Sequence, residues 1–217
     1  GRLAAKKLIS LWGIPELRYI DVTQDAVTIG AGTTFTDLRK HPVIASDFTL
    51  LAQAASWTGS IANQNRGTLG GNCVNASPAA DSPPALLVYD AELKLISTSG
   101  PRKLPYSQFH LSYKKTALRP DELLHSITLK RTFAGSSSYT RKVGTRNAQA
   151  ISKVALAAVA TTHHGVIEQI RLAEPLSDKT RAAVLSQSND QTAAMQAAKE
   201  FQVGGSEVVA QLLLGPS

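Results

Sequence analysis

Hydrophobic and polar positions alternate in several short stretches of the chain, and this alternation predicts strands. In residues 91–97 the apolar positions 91, 93 and 95 are separated by the charged positions 92 and 94, which is the period of a half-buried strand. Comparable runs predict further strands, or the beginning of one, over residues 7–11, 17–20, 26–31, 122–129 and 167–172, and extended structure over residues 138–146.

Helical spacing of apolar residues is clearest in residues 48–57, which are predicted to form a helix. A shorter helix is predicted to begin after Thr34, because Asp37 stands three residues later as in a capping box, and Pro42 ends or offsets it. Residues 154–162 fit either a strand or a helix. Two further segments, residues 180–185 and 192–201, are predicted to be helical.

Short strands and a few helices follow one another without regular alternation, which favours the α+β class over a doubly wound parallel sheet. A glycine- and serine-rich break near residues 133–138 divides the pattern. We therefore expect two domains, over residues 1–133 and 138–217.

The composition fits a globular chain, with 43% hydrophobic and 18% charged residues among 217. No apolar run approaches the roughly 20 residues that a transmembrane helix needs. Cys73 is the single cysteine, so cysteine-ligated zinc and iron–sulfur sites and an internal disulfide are excluded within these residues. This cysteine usage fits a reducing compartment, and we expect a cytoplasmic protein.

The chain carries 23 Lys and Arg against 16 Asp and Glu, a net charge of +7. A basic balance suggests nucleic acid first, but these basic residues are scattered and accompany no nucleic-acid-binding motif. We therefore expect neither nucleic acid nor a membrane as a partner. The charge equally suits an acidic protein subunit or an anionic cofactor.

The most unusual stretch for its composition is Arg66–Asp81, which holds two adjacent glycines together with threonine, asparagine, serine and aspartate. Adjacent glycines can aim successive N–H groups into one concavity that suits a phosphate, and Thr68 and Asn72 can add side-chain hydrogen bonds. Asp81 can accept hydrogen bonds from a ribose or a ring N–H. A tight turn with a bulge remains the alternative.

Other candidate groups favour structural roles. Gly30–Thr34 does not match the dinucleotide fingerprint, because Phe35 occupies a glycine position, and we interpret it as a strand-to-helix turn. The five histidines show no metal-ligand spacing. Cys73 is expected to be a small buried residue rather than a nucleophile. The cations of Arg141–Arg146 suit either a solvated strand face or a charge placed against a bound anion.

Several of these segments, taken in order, resemble the FAD-binding medium subunit of molybdenum hydroxylases, the family of xanthine dehydrogenase and aerobic carbon monoxide dehydrogenase. The central run, residues 65–86, carries most of the resemblance. Supporting matches are Ile14–Leu17, Ile29–Thr34, Lys115–Leu118 with Asp121–Leu124, and Arg141–Arg146. The family's earlier glycine-rich motif, Ala-Gly-Gly-Thr-Asp, has no counterpart in this sequence.

This resemblance implies a two-lobed FAD-binding domain of the vanillyl-alcohol-oxidase type. A small α+β C-terminal domain with a three-stranded sheet would follow it. It also implies the cofactor-binding residues. The FAD pyrophosphate would lie on Thr68, Leu69, Gly70, Gly71 and Asn72.

Four further positions are implied by the same resemblance. Asp81 would bond to a polar edge of FAD, and the backbone of Leu124 would lie at the flavin. Lys142 would stand near the flavin ring, where a cation favours the reduced form. Thr58, next to Trp57, falls where the family places a residue close to the cofactor. No residue is expected to be catalytic and none to bind a metal.

The implied function is electron transfer. The chain would hold FAD and receive electrons from an iron–sulfur small subunit, which a molybdopterin large subunit supplies, and would pass them to NAD or another acceptor. Two alternatives remain open: an interaction subunit that binds no FAD, suggested by the missing glycine-rich motif, and a stand-alone flavin oxidoreductase of the same fold.

Overall fold

Two antiparallel sheets, with short helices packed between and around them, form the described part of this protein. The computed structural model describes residues 7–144, 152–163, 166–175 and 180–188. The first sheet has five strands in the order β1-β2-β7-β3-β4. Its strands are β1 (Ile20–Val22), β2 (Ala26–Gly30), β3 (Glu92–Ser97), β4 (Gly100–Pro105) and β7 (Leu123–Lys130). The predicted strands over residues 26–31, 91–97 and 122–129 are thereby confirmed.

Between β2 and β3 the chain forms a run of short helices. They are α1 (Phe35–Lys40), α2 (Pro42–Asp47), α3 (Thr49–Trp57), α4 (Ile61–Arg66), α5 (Leu69–Asn75) and α6 (Ser82–Val88). A small hairpin of β5 (His110–Ser112) and β6 (Lys115–Thr116) lies before β7, and 3-10 turns occupy Pro15–Leu17, Tyr106–Gln108 and Arg131–Phe133. None of the helices in the described residues is long and apolar enough to cross a bilayer.

The capping box predicted at Thr34 is present. The Thr34 hydroxyl accepts a hydrogen bond from the Asp37 amide, and an Asp37 carboxylate oxygen accepts one from the Thr34 amide, both at 3.1 Å. Pro42 then begins α2 directly after α1 ends. The turn between β2 and α1 is held by other backbone bonds, in which the Ala31 amide donates to the His125 carbonyl and the Gly32 amide to the Leu17 carbonyl.

The main core lies between the first sheet and the helices. Every second residue of β2 faces it, as Val27 and Ile29 are completely buried. Their partners across β7 are Leu129 and Ile127, also completely buried. This alternation follows from the strand period of two, and each such side chain contributes about 1.5–3 kcal/mol by leaving water.

The second sheet has the order β11-β10-β9-β8 and consists of β8 (Ser137–Gly144), β9 (Ser152–His163), β10 (Val166–Pro175) and β11 (Thr180–Ser188). The expected α+β fold class is confirmed. The sheet has four strands instead of three, because β8 pairs with β9 along its whole length. Thr49 of α3 and Ser138 of β8 share a hydrogen bond of 2.8 Å, which ties the sheet to the helices.

Several local predictions were wrong. Residues 7–11 form no strand, and the segment expected from residue 17 is a 3-10 turn followed by β1. Residues 180–188 are a strand rather than a helix, because their backbone pairs with β10. The ambiguous stretch at 154–162 belongs to β9. The helix predicted over residues 192–201 lies outside the described residues.

Candidate functional site

The stretch expected to be a phosphate-cradling loop is the first part of a helix. Thr68 caps α5, and its hydroxyl accepts a hydrogen bond of 3.0 Å from the Gly71 amide. Gly70 and Gly71 both lie within the helix, and neither has a positive φ. The predicted nest of left-handed glycines was therefore wrong, because the Thr68 cap organises these residues as a helical turn.

Most amides at the start of α5 already have acceptors within the chain. Leu69 donates to the Thr33 carbonyl at 3.0 Å, and Gly70 donates to the Ala31 carbonyl at 2.9 Å. The Asn72 amide donates to the Thr68 carbonyl at 3.0 Å. Only the Gly71 amide is bonded to a side chain, the Thr68 hydroxyl, which can rotate away. An incoming acceptor would therefore gain the Gly71 N–H at low cost.

The two glycines of α5 serve different purposes. A Cβ on Gly70 would lie 2.5 Å from the Ala31 Cβ, so Gly70 is required for close packing of α5 on the turn after β2. A Cβ on Gly71 would contact only the Thr68 hydroxyl, at 3.0 Å. Gly71 is exposed, and the space above it is open. The Cβ side of Gly71 is therefore open to a ligand, whereas the Cβ side of Gly70 is filled by Ala31.

A cavity of about 390 Å³ lies beside this turn, a volume within the roughly 300–1,000 Å³ range of small-molecule sites. Thr68, Gly70, Gly71 and Leu124 all line it, and the remaining lining residues are mostly apolar. Four of the nine residues expected to bind the cofactor are thereby brought to one concave surface.

Leu124 reaches this cavity because of an irregularity in the first sheet. The register between β3 and β7 shifts between Lys94 and Leu95, so that Leu95 pairs with Leu124. Leu124 is 6% exposed, and its neighbour Leu123 is 44% exposed. The bulge places both leucines at the cavity, with Leu124 forming part of its wall.

Three other predicted positions meet at a second point. The Lys142 ammonium on β8 donates hydrogen bonds to an Asp81 carboxylate oxygen at 2.7 Å and to the Trp57 carbonyl at 3.0 Å. The two charged side chains are 12% and 9% exposed. Thr58 follows directly, and its hydroxyl donates to the Ala54 carbonyl at 2.8 Å. Of the cations expected at residues 141–146, Lys142 is thus paired with a carboxylate and Arg141 is exposed, whereas Arg146 lies outside the described residues.

Asn72 connects the two groups of residues. The hydroxyl of Ser82, which is completely buried, donates a hydrogen bond of 2.6 Å to the Asn72 side-chain oxygen. Ser82 follows Asp81 and begins α6. The position of Asn72 on α5 is therefore fixed relative to Asp81. Leu69, in contrast, is completely buried in the core, so its side chain supports α5 instead of facing the cavity.

Cys73 and two histidines adjoin the site without forming a reactive arrangement. Burial raises the pKa of the Cys73 thiol to about 12, so the thiol stays protonated at neutral pH. The imidazole of His110 lies 2.9 Å from the Cys73 carbonyl, and burial lowers the pKa of His110. Burial also lowers the pKa of His125. The expectation that Cys73 is a small buried residue is confirmed.

Trp12 and Arg66 line the cavity, although the sequence predicted no role for either residue. The Arg66 guanidinium carbon lies 4.2 Å from the centre of the Trp12 ring, and both residues line the cavity. The sequence offered a weak signal for Arg66, which begins the polar stretch. It offered none for Trp12, which lies outside any periodic pattern. Ser82 was missed because the sequence does not distinguish a serine with a buried hydroxyl from a serine in an exposed turn.

The family model for the FAD binding domain in molybdopterin dehydrogenase matches residues 1–130 of this chain. The chain belongs to this family. The expected resemblance is thereby confirmed, and FAD is the cofactor of this domain family. The match covers the first sheet and the six α-helices of the described residues, and so includes the cavity at α5.

Two of the relatives that match this chain are named as FAD-binding subunits. The xanthine dehydrogenase FAD-binding subunit of Escherichia coli O157:H7 is 32% identical over 172 residues, covering 77% of this chain and 58% of that protein. The nicotinate dehydrogenase FAD-subunit of Eubacterium barkeri is 35% identical over 150 residues, covering 68% of this chain and 51% of that protein. The chain thus spans only a little over half the length of these relatives.

Solved structures agree with the fold. Carbon monoxide dehydrogenase from Hydrogenophaga pseudoflava, in a form that lacks the Mo-pyranopterin moiety, superposes with a TM-score of 0.75 at 27% identity, covering 94% of this chain and 70% of that chain. Quinoline 2-oxidoreductase from Pseudomonas putida 86 gives 0.81 at 19% identity, covering 94% and 81%. The second likeness concerns the fold alone.

The chemistry of the cavity in this FAD-binding domain suits part of a flavin dinucleotide. Its walls are largely apolar, as a planar ring requires, and the open space above Gly71 admits a bulky group next to a backbone donor. The Thr68 hydroxyl can turn from Gly71 to a phosphate oxygen. A guanidinium group stands at the same cavity. These groups fit the cofactor.

Proposed function

We propose that this chain binds FAD against the cavity beside α5 and serves as an electron-transfer subunit of a molybdenum-containing dehydrogenase complex. The observation that carries the proposal is the convergence of Thr68, Gly70, Gly71 and Leu124 on one apolar cavity, in a chain whose family is defined by FAD binding. The names of its relatives, which are FAD subunits of dehydrogenases, support the same function.

The residues of the chain would have distinct tasks. The Gly71 N–H and the Thr68 hydroxyl would bind the pyrophosphate. Asn72, whose side-chain oxygen accepts a hydrogen bond from Ser82, would donate its side-chain NH2 to the same group. Leu124 would exclude water from one side of the ring. When bound, FAD supplies the redox chemistry, while the protein supplies binding and electrostatics.

Asp81 and Lys142 would act together at the other end of the site. Because the Lys142 ammonium is already bonded to Asp81 and to the Trp57 carbonyl, its charge is largely balanced in this structure. A cofactor edge that accepted a hydrogen bond from Lys142 would compete with Asp81. The backbone at Trp57 and Thr58 would fix how closely β8 approaches the cofactor.

A titration with FAD tests the binding. The chain is expected to quench flavin fluorescence and to acquire the flavin absorption bands. Gly71→Val is expected to abolish this binding, because its side chain would occupy the open space, while the fold is retained. Ala45→Val, which places the same valine side chain at an exposed position of α2, is the control. Equal FAD affinity in Gly71→Val and the native chain would refute the assignment.

An interaction subunit without FAD is the second candidate. It is favoured by the amides of Leu69 and Gly70, which already donate to carbonyls of the chain. A folded chain that stays colourless after incubation with excess FAD and removal of the unbound cofactor would refute FAD binding and leave this alternative.

We infer that the electrons come from an iron–sulfur small subunit and, before it, a molybdopterin large subunit, and that they leave to NAD or another acceptor. The single, buried cysteine supplies no cluster ligands within these residues. Several relatives are named as parts of assemblies, such as the carbon monoxide dehydrogenase medium chain of Hydrogenophaga pseudoflava. In the assembled complex, substrate should bleach the FAD absorption and NAD should restore it. A flavin that stays oxidised under substrate would exclude this route.

A further inference from the structure

Arg66 lines the cavity and stacks on an aromatic ring. It is the last residue of α4, two positions before Thr68, and its side chain lies against Trp12. The guanidinium carbon is 4.2 Å from the ring centre, which is a close cation–π contact. Trp12 is 41% exposed. The indole therefore supports one face of the guanidinium and leaves the N–H groups at its edge open to a ligand.

Arg66 differs in charge balance from the other arginine at this cavity. Arg18 donates two hydrogen bonds to the Asp37 carboxylate, at 3.0 and 3.1 Å, so its charge is neutralised. Among the residues that the structure describes, no carboxylate forms an ion pair with Arg66. The cavity thus has one cation that the chain itself leaves uncompensated, and a guanidinium edge matches the paired oxygens of a phosphate.

The neighbouring backbone explains why such a cation is needed. The amides of Leu69 and Gly70 donate to carbonyls of the chain, which leaves the Gly71 N–H as the amide that a ligand can gain in this turn. One amide and one hydroxyl supply hydrogen bonds but no positive charge. A diphosphate carries two negative charges and would be poorly balanced by these two groups alone.

We propose that Arg66 binds the diphosphate of FAD and that Trp12 is a positioning residue that holds the guanidinium over the cavity. This inference rests on the proposed function, because it names a further group of the same site. It predicts that Arg66 distinguishes flavins by their phosphates: it should stabilise FAD and have no effect on riboflavin, which carries none.

The test compares the dissociation constants of FAD and riboflavin for the full chain, measured by fluorescence quenching. Arg66→Gln is expected to weaken FAD binding about 10- to 100-fold, the loss expected for one charged hydrogen-bonded contact, and to leave riboflavin binding unchanged. Added salt should weaken FAD binding more in the native chain than in Arg66→Gln.

Further variants separate charge from position. Arg66→Lys keeps the charge without the planar fork and should fall between the native chain and Arg66→Gln. Trp12→Leu should weaken FAD about 2- to 5-fold, the loss expected for an exposed cation–π contact. Lys40→Gln removes one exposed positive charge away from the cavity and should leave both flavins unaffected.

The outcomes distinguish this inference from the proposed function. If the native chain binds FAD and Arg66→Gln binds it equally well, the role of Arg66 is refuted and FAD binding stands. Equal weakening of FAD and riboflavin in Arg66→Gln also refutes it, because the phosphate would then play no part. If the native chain binds neither flavin, the proposed function and this inference both fail.

Discussion

Lys142 on β8 and Asp81 at the start of α6 form a nearly buried ion pair, with the ammonium nitrogen 2.7 Å from a carboxylate oxygen. The pair joins residues 61 positions apart and connects the second sheet to the helices that carry the candidate site. Because Lys142 also donates to the Trp57 carbonyl, one ammonium group fixes the relative positions of α3, α6 and β8.

Because the ion pair is nearly buried, the loss of stability on removing Lys142 alone should be much larger than the loss on removing both charges. Lys142→Met should destabilise the fold by about 3 kcal/mol, because it removes the cation and leaves the Asp81 carboxylate buried. Adding Asp81→Asn should recover much of this loss, since both charges are then gone. Urea unfolding of the two single variants, the double variant and the native chain gives the coupling energy. Additive effects would contradict a direct interaction.

Lys40→Met provides the matched control, since it removes an exposed lysine from α1. We expect it to change the free energy of unfolding by less than about 0.5 kcal/mol. A cost similar to that of Lys142→Met would mean that lost side-chain packing, and not the buried pair, accounts for the effect.

The sequence predicted the elements whose pattern is dictated locally. The alternation in β3 and the capping box at Thr34 are determined by neighbouring residues, and both are present. Helix α5 was missed because its sequence contains two glycines and two asparagines, which are poor helix formers. It forms because Thr68 caps it and because Leu69 and Cys73 are buried, a contribution of tertiary packing that composition does not reveal.

The sequence predicted those residues of the candidate site that lie close together in one stretch of unusual composition. Thr68, Gly71 and Asp81 belong to one unusual stretch, so their composition alone marked them. The cavity itself depends on the bulge that turns Leu124 inward and on Trp12, which comes from a distant segment without regular structure. Neither relationship follows from local pattern, because the bulge requires β3 and β7 to pair and the position of Trp12 requires the N-terminal segment to reach the cavity.

The two glycines of α5 should respond differently to the same substitution. Gly70→Ala places a Cβ 2.5 Å from the Ala31 Cβ, so α5 must shift, and we expect a loss of about 1–3 kcal/mol. Gly71→Ala meets only a side-chain oxygen at 3.0 Å and replaces a glycine within a helix, so it should cause no loss of stability and a gain of up to about 1 kcal/mol. Thermal unfolding of both variants measures the difference. Equal destabilisation would show that the space above Gly71 is not open.

The Cys73 thiol should be unreactive in the folded protein. It is completely buried, and burial raises its pKa to about 12, so little thiolate is present at pH 8. A thiol-specific chromogenic reagent should label one cysteine in denaturant and almost none in native buffer. Rapid labelling of the native chain would contradict both the burial and the conclusion that Cys73 is no nucleophile.

Glu122 should make the stability of the fold sensitive to acid. Its carboxylate accepts hydrogen bonds from the Arg102 guanidinium at 2.6 and 2.9 Å and from the Arg119 amide at 2.8 Å. The bonded Arg102 lowers the pKa of Glu122 to about 2. Since the unfolded value is about 4.3, this contribution is fully present above that pH and is lost as the pH falls toward 2.

Glu122→Gln should therefore lower stability at pH 6 and flatten the decline of stability between about pH 4.3 and 2, since the titrating group is gone. Urea midpoints measured across this range test the slope. Asp121→Asn, at the exposed neighbouring carboxylate, should keep the native slope. The loop fixed by Glu122 leads directly into Leu123 and Leu124, so Glu122→Gln should also weaken FAD binding in the native pH range. An unchanged acid slope in Glu122→Gln would show that the Arg102 pair does not hold this loop.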